Sequence, residues 1–170
     1  MSARHTRTDT DLGRLTLTAE GEYLTGVYFE GHWYPPTDDQ LGSYVNASDD
    51  ETLACAATEL RDYIAGLRSS FSVPTRTSGD AFSEDVWRRL SDIPYGATTT
   101  YGELAQAMGD IALAQRVGQA VGHNPLSIVI PCHRVVGAKG ALTGYAGGLR
   151  RKAFLLDLEA PAELAASRLF

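Results

Sequence analysis

Residues 122–137 read Gly122-His-Asn-Pro-Leu-Ser-Ile-Val-Ile-Pro-Cys-His-Arg-Val-Val-Gly137, and the pattern changes three times within them. Gly-His-Asn-Pro cannot continue a helix, because proline lacks an N–H and keeps the residue before it out of the α conformation. Leu126 to Ile130 has the length and β-branched content of a buried strand, and Pro131 should end its pairing. The expectation is a strand that delivers a loop starting at Cys132-His133. A thiol becomes a nucleophile when it is partly ionised and reachable, and His133 and Arg134 are neighbours able to supply the first condition. A Cys-His dipeptide also suits a buried, inert cysteine, so this stretch alone does not choose between the two.

Upstream, Thr100-Tyr-Gly-Glu103 is a capping box that starts a helix through Leu104, Ala105 and Met108 and stops at Gly109. Asp110 can cap a following helix to about Gly122, and two short helices across a glycine-containing turn make a helix-turn-helix. The second helix carries mostly small side chains, which suit internal packing or close approach to another surface. Before this pair, Ser83 is expected to cap a helix to about Asp92, with Phe82 and Trp87 as a hydrophobic staple, and Pro94-Tyr-Gly96 to turn. Downstream, Gly137-Ala-Lys-Gly140 and Gly144-Tyr-Ala-Gly-Gly148 allow close backbone approach around Cys132. A last helix, Leu149 to about Glu159, puts Leu149, Ala153 and Leu156 on one face and ends in an acid.

The beginning of the chain has the other periodicity. Leu15-Thr-Leu-Thr-Ala19, a Glu20-Gly-Glu22 turn and Tyr23 to Phe29 predict a hairpin. Tyr34 to Asn46 predicts a loop, and Ser48-Asp-Asp-Glu51 a capping box before a helix with Leu53, Ala57, Leu60, Ile64 and Leu67 on one stripe and Cys55 off it. Residues 72–81 have two breakers and no periodicity, which sets the expected domains at 1–78 and 79–170.

Composition narrows the class. With 44% hydrophobic and 21% charged residues, the chain is an ordinary globular protein. Its longest apolar runs fall far short of the roughly 20 residues that span a bilayer, and its start lacks the apolar stretch of a signal peptide, so a cytosolic protein is expected. Two cysteines make no disulfide framework and should be free thiols, and the four histidines show no metal-ligand spacing with them. The net charge of −6 is unevenly placed. From Ile111 to Leu156 there is no acid, while Arg116, Arg134, Lys139, Arg150, Arg151 and Lys152 give +6, leaving −12 on the rest. Such a basic face can hold phosphates or simply be solvated.

Taken together, Pro131-Cys-His-Arg-Val135, Val117-Gly118, Asn124-Pro125, Tyr101, and Gly144-Tyr145-Ala-Gly-Gly148 followed by Lys152, Leu155-Leu156 and Glu159 resemble the O6-alkylguanine-DNA alkyltransferases. Leu12-Gly-Arg-Leu-Thr-Leu-Thr, Leu60-Arg-Asp-Tyr63 and Phe71 are similar to that family's amino-terminal domain. The resemblance implies an α+β fold: a small RNase H-like sheet-plus-helix domain, then a helical domain holding the helix-turn-helix and the Pro-Cys-His-Arg loop. It implies a suicide repair protein that flips an alkylated guanine, or the corresponding thymine, out of duplex DNA and moves the alkyl group to its own cysteine without a cofactor. By matching motif, Cys132 is the acceptor, His133 its base through a water, Glu159 the residue that orients His133, Tyr101 a proton donor to the base, and Asn124 a hinge. Tyr145 matches a wall of the base pocket, and the loop backbone at Pro131, Cys132, Val135 and Ala146 the groups around the guanine edge; serine is usual where Ala146 stands. Gln115, Arg116, Val117, Gly118, Ala120 and Arg134 fall at the expected DNA face. The implied partner is alkylated duplex DNA met from the minor groove, by a monomer needing no membrane or obligate protein partner, with clustering along the duplex a further option.

One position departs from the pattern. The family reads Arg-Ala-Val-Gly where this chain reads Gln115-Arg-Val-Gly118, so Gln115 stands for the arginine that fills the gap left by the flipped base. A one-residue shift on a helix turns a side chain by about 100°, so Arg116 does not take that role over and weaker DNA affinity is expected. Three rivals are a cysteine-free class that binds alkylated DNA without repairing it, a cysteine-sensing regulator, and a papain-like hydrolase. The presence of Cys132 argues against the first, the lack of further segments against the second, and the lack of any histidine after His133 against the third.

Overall fold

The computed structural model describes residues 2–161; residues 162–170, the end of the second expected domain, lie outside the described residues. The architecture is α+β, in two compact units. One takes the chain up to Ser78 together with Pro125–Val129, and the other takes Gly79–Asn124 and the chain from Ile130. The short excursion at 125–129 is the departure from a simple division near residue 78.

In the first unit β1 (Ala3–Thr10), β2 (Gly13–Glu20) and β3 (Tyr23–Phe29) form an antiparallel meander. After α1 (Asp38–Leu41), β4 (Ser43–Tyr44) joins β1 in parallel, so the loop expected over 34–46 carries two short elements. The predicted hairpin is β2–β3. β1 is additional: Ala-Arg-His-Thr-Arg-Thr-Asp-Thr has no apolar alternation, and its buried positions are His5, Thr6 and Thr8. Helix α2 (Glu51–Ile64) buries Leu53, Ala57, Leu60 and Ile64 against the sheet's Leu15, Leu17 and Val27 layer. Its cap is Asp50 rather than Ser48, because the Asp50 carboxylate accepts from Leu53 N at 3.0 Å and pairs with Arg4. Gly66, at φ 78°, ends the helix as a left-handed stop, so Leu67 falls outside the stripe and is exposed.

The strand expected at Leu126–Ile130 does not form. Leu126 makes one parallel bridge to Val27, and then Val129 N bonds back to Ser127 O at 2.9 Å around Ile128 at φ 73°. That is a γ-turn on a β-branched residue, which bends the chain out of the sheet direction. The apolar run signals burial, and Leu126, Ile128 and Ile130 are buried, but burial here does not bring extended pairing.

The second unit contains α3 (Ala81–Ser91), β5 (Thr99–Thr100), α4 (Tyr101–Ala107), α5 (Ala114–Gly122), β6 (Val135–Val136) and α6 (Leu149–Glu159). The α3 cap is Asp80, which accepts from Ser83 N at 2.7 Å, so Ser83 lies three residues into the motif and the expected Phe82–Trp87 staple is displaced. Gly79 takes the outer position instead. A Cβ there would meet the Trp87 ring at 2.6 Å, so glycine is needed. Thr100 caps α4 and Asp110 caps the 3-10 turn Ile111–Leu113 that leads into α5, with Gly109 at φ 114° between them. The helix-turn-helix forms as the sequence predicts, closed by Leu104, Ala105, Val117 and Val121 and backed by Val86 and Leu90 of α3. Among the described residues no helix is long and apolar enough to cross a membrane.

Candidate active site

Pro131, at φ −79° and ψ 64°, is the centre of an inverse γ-turn in which Cys132 N donates to Ile130 O at 2.7 Å. The same carbonyl accepts from Asn124 Nδ2 at 2.8 Å. Thus the end of the helix-turn-helix and the start of the cysteine loop share one acceptor. Cys132–Arg134 form a 3-10 turn, and Val135–Val136 then pair in parallel with Thr99–Thr100. Because Thr100 also caps α4, this register fixes Tyr101 at the start of α4 relative to the loop. Val135, Tyr145 and Ala146 are buried around the loop.

His133 Nε2 and Glu159 Oε2 are 2.7 Å apart, and both side chains are buried. A carboxylate can only accept, so Nε2 carries the proton, and the buried Nδ1, which has no protein hydrogen-bond partner, keeps its lone pair. Burial holds the imidazole below the ordinary histidine range, against the pull of Glu159. It is a neutral base, oriented by an acid. Burial also pushes the Cys132 thiol up, although the Asn124 amide and the charge of Lys152 oppose it. At rest the thiol keeps its proton, so ionisation must accompany any attack by this sulfur. Tyr101 is likewise raised, chiefly by burial, so its phenol is a donor at neutral pH.

Arg134 does not reach the DNA face. Its Nε and Nη2 donate to Glu159 Oε1 and Oε2 at 2.7 and 3.2 Å, its Nη1 donates to Ile93 O at 2.6 Å, and the side chain is buried. The guanidinium holds Glu159 in place, so it positions the acid that positions the base. Sequence reasoning counts Lys152 among the cations of a basic face, but the structure buries it. Its side chain is 0% exposed, and its ammonium donates to Thr143 O at 2.8 Å and Gly144 O at 3.2 Å, tying α6 to the loop that carries Tyr145. Burial lowers it from 10.5 to about 8, with Cys132 pulling the other way. Lysine is among the residues least often buried, and its place in the motif beside Glu159 was the only sequence sign.

On α5, Gln115 is exposed and Gly118 lies against Tyr101, where a Cβ would be 3.7 Å from the ring. Arg116 is on the surface, but its guanidinium sits 3.9 Å above the Phe82 ring, and its charge helps lower Asp80, mainly held down by hydrogen bonds from Ser83. Val117 and Ala120 are not on the outer face. They are buried inside the helical unit, and Ala120 O accepts from Trp87 Nε1 at 2.9 Å. Among the described residues no three His, Cys, Asp or Glu side chains gather as a metal site.

A buried cysteine, a neutral histidine anchored by an acid, and a helix-turn-helix in the same unit define a group-accepting protein built on a nucleic-acid-binding scaffold. Two family models match the chain: the ribonuclease-like domain of 6-O-methylguanine DNA methyltransferase over residues 3–77 and its DNA-binding domain over residues 81–161. A methylated-DNA–protein-cysteine methyltransferase of Mycobacterium tuberculosis is 42% identical over 164 residues, covering 94% of this chain and 96% of that protein. An inducible enzyme of the same name from Bacillus subtilis is 45% identical over 144 residues, 80% of each chain. The crystal structure of Mycobacterium tuberculosis OGT in complex with DNA superposes with a TM-score of 0.81 at 38% identity, covering 95% of this chain and 98% of that one. The chain belongs to the 6-O-methylguanine DNA methyltransferase family.

Proposed function

We propose that this protein repairs O6-alkylguanine in duplex DNA by moving the alkyl group to Cys132, once per molecule. The observation that carries the reading is the bond from His133 Nε2 to Glu159, which leaves Nδ1 its lone pair on the residue that follows the acceptor cysteine in the chain. Reaching the alkyl carbon requires the base to leave the stack, and the helix-turn-helix supplies the contact with the duplex. Cys132 Sγ then attacks the alkyl carbon, a carbon–sulfur bond forms, and the carbon–oxygen bond breaks with its electron pair retained by guanine. The thiol proton passes through a water to Nδ1, while the Tyr101 hydroxyl protonates the guanine ring. The step balances without a cofactor. It ends in a thioether that no group in the site can reverse, which makes the protein its own stoichiometric reagent.

The cytosol is the proposed setting, where Cys132 and the other free cysteine, Cys55, stay reduced. The test is a titration of a duplex carrying O6-methylguanine, with the lesion counted after digestion of the DNA. Guanine should be restored in proportion to protein added and stop at one equivalent. Lesion that survives an excess of protein, bound tightly, would instead make this a binding protein.

A further inference from the structure

The tip of the helix-turn-helix has an unusual surface for a nucleic-acid reader. Ile111, Ala112 and Gln115 are exposed, and Leu113 and Ala114 are half-buried, so five successive residues carry no charge. The first cation, Arg116, lies over Phe82 on α3. The carboxylate in front of the tip, Asp110, accepts from Ala112 N at 2.9 Å and occupies the helix N-terminus where a phosphate would otherwise bind. The tip is therefore unsuited to gripping the backbone.

Its most prominent group is aliphatic. Ile111 is 61% exposed, whereas Leu104, Val117 and Val121 of the two helices are buried. A short 3-10 turn closed by Leu113 N to Asp110 O at 3.0 Å holds it, and a β-branched side chain has little rotamer freedom to lose. Its Cδ1 lies 3.9 Å from where a Cβ of Gly102 would stand, next to Tyr101. A rigid, uncharged side chain thus projects from the helix pair close to the residue that begins the reaction site.

We infer that Ile111 is an apolar wedge that enters the minor groove and fills against the bases beside the extruded nucleotide. Minor-groove proteins use aliphatic side chains in this way, replacing stacking that base extrusion removes. The inference rests on the proposed DNA repair function and adds a property to it: this part of the grip is hydrophobic, and salt does not weaken it. Gln115, one turn further on, offers hydrogen bonds to the same groove.

The test compares wild type, Ile111→Ser and Ile111→Leu on an undamaged duplex at two salt concentrations, and on the same duplex with O6-methylguanine beside 2-aminopurine. Ile111→Ser should bind about tenfold more weakly at both salts, from the lost burial of one aliphatic side chain. Its salt slope and melting temperature should match wild type, and its rise in 2-aminopurine emission should be smaller. Ile111→Leu should behave as wild type. Binding by Ile111→Ser within about twofold of wild type, or a loss that comes with a shallower salt slope, would overturn the wedge. Failure of the wild type to bind any duplex would overturn the DNA reading instead.

Discussion

The cysteine loop and the tip of α5 belong to the same unit and are built in opposite ways. In the loop the polar groups are committed to one another: Ile130 O accepts from Cys132 and Asn124, Glu159 binds His133 and Arg134, and Lys152 binds two carbonyls. At the tip, Ile111 and Gln115 face outward. A reacting centre has to be held in position before its substrate arrives, because misplacement of about 1 Å is costly. A surface that meets a deformable duplex is completed by the duplex. Substitutions in the loop should therefore cost rate and stability together, and substitutions at the tip should cost affinity alone.

The sharpest break between the two comes at Glu159. Glu159→Gln weakens the acceptor for His133 and leaves the buried Arg134 guanidinium without its counter-charge. Transfer should slow on the order of a hundredfold, and stability should fall by about 3 kcal/mol, while affinity for duplex stays near wild type. Single-turnover rates and denaturant melts check this; equal rates would remove Glu159 from the mechanism.

Lys152→Met asks whether α6 holds the Tyr145 loop through charge. In wild type the folded state binds the lysine proton less tightly than the unfolded chain, with about 8 against an ordinary 10.5. The unfolded state thus holds more protons in that interval, and this group adds stability as pH rises from about 8 to 10.5. Melting temperature followed against pH should show that increment in wild type and lack it in the variant. The same pH trend in both would mean that the ammonium is not held as described.

At the tip the expected effects are smaller. Gln115→Arg should tighten binding a few-fold and steepen the salt dependence by about one phosphate contact; unchanged affinity and repair rate would show that the missing arginine costs this protein nothing. Arg116 lies behind the tip, held over Phe82 of α3, so Arg116→Ala should cost about 0.5–1 kcal/mol of stability through loss of that stack, with no change in salt slope. A shallower slope would return Arg116 to the DNA face.

The same contrast explains what the sequence reveals. The grouping of Cys132, His133, Asn124 and Glu159 around one loop is legible because a motif fixes their spacing, and α4 and α5 are legible because Thr100, Gly109 and Asp110 punctuate them. The direction of a helical side chain depends on which face the rest of the fold buries, so Val117, Ala120 and Arg134 pass for surface residues until packing is known. Caps are ambiguous wherever aspartate competes with serine. Asp50 and Asp80 win over Ser48 and Ser83 because each also finds its backbone donor at the right distance. β1 escapes notice because threonine and histidine fill its buried positions, and the run at 126–130 misleads because its burial comes with a turn at Ile128.

Intact mass of the protein after mixing with duplex that carries O6-methylguanine addresses the central claim most directly. One added methyl group per chain, mapped to the peptide containing Cys132 and absent in Cys132→Ser, is the predicted result. An unchanged mass while the lesion disappears, or a methyl group found on Cys55, would contradict it.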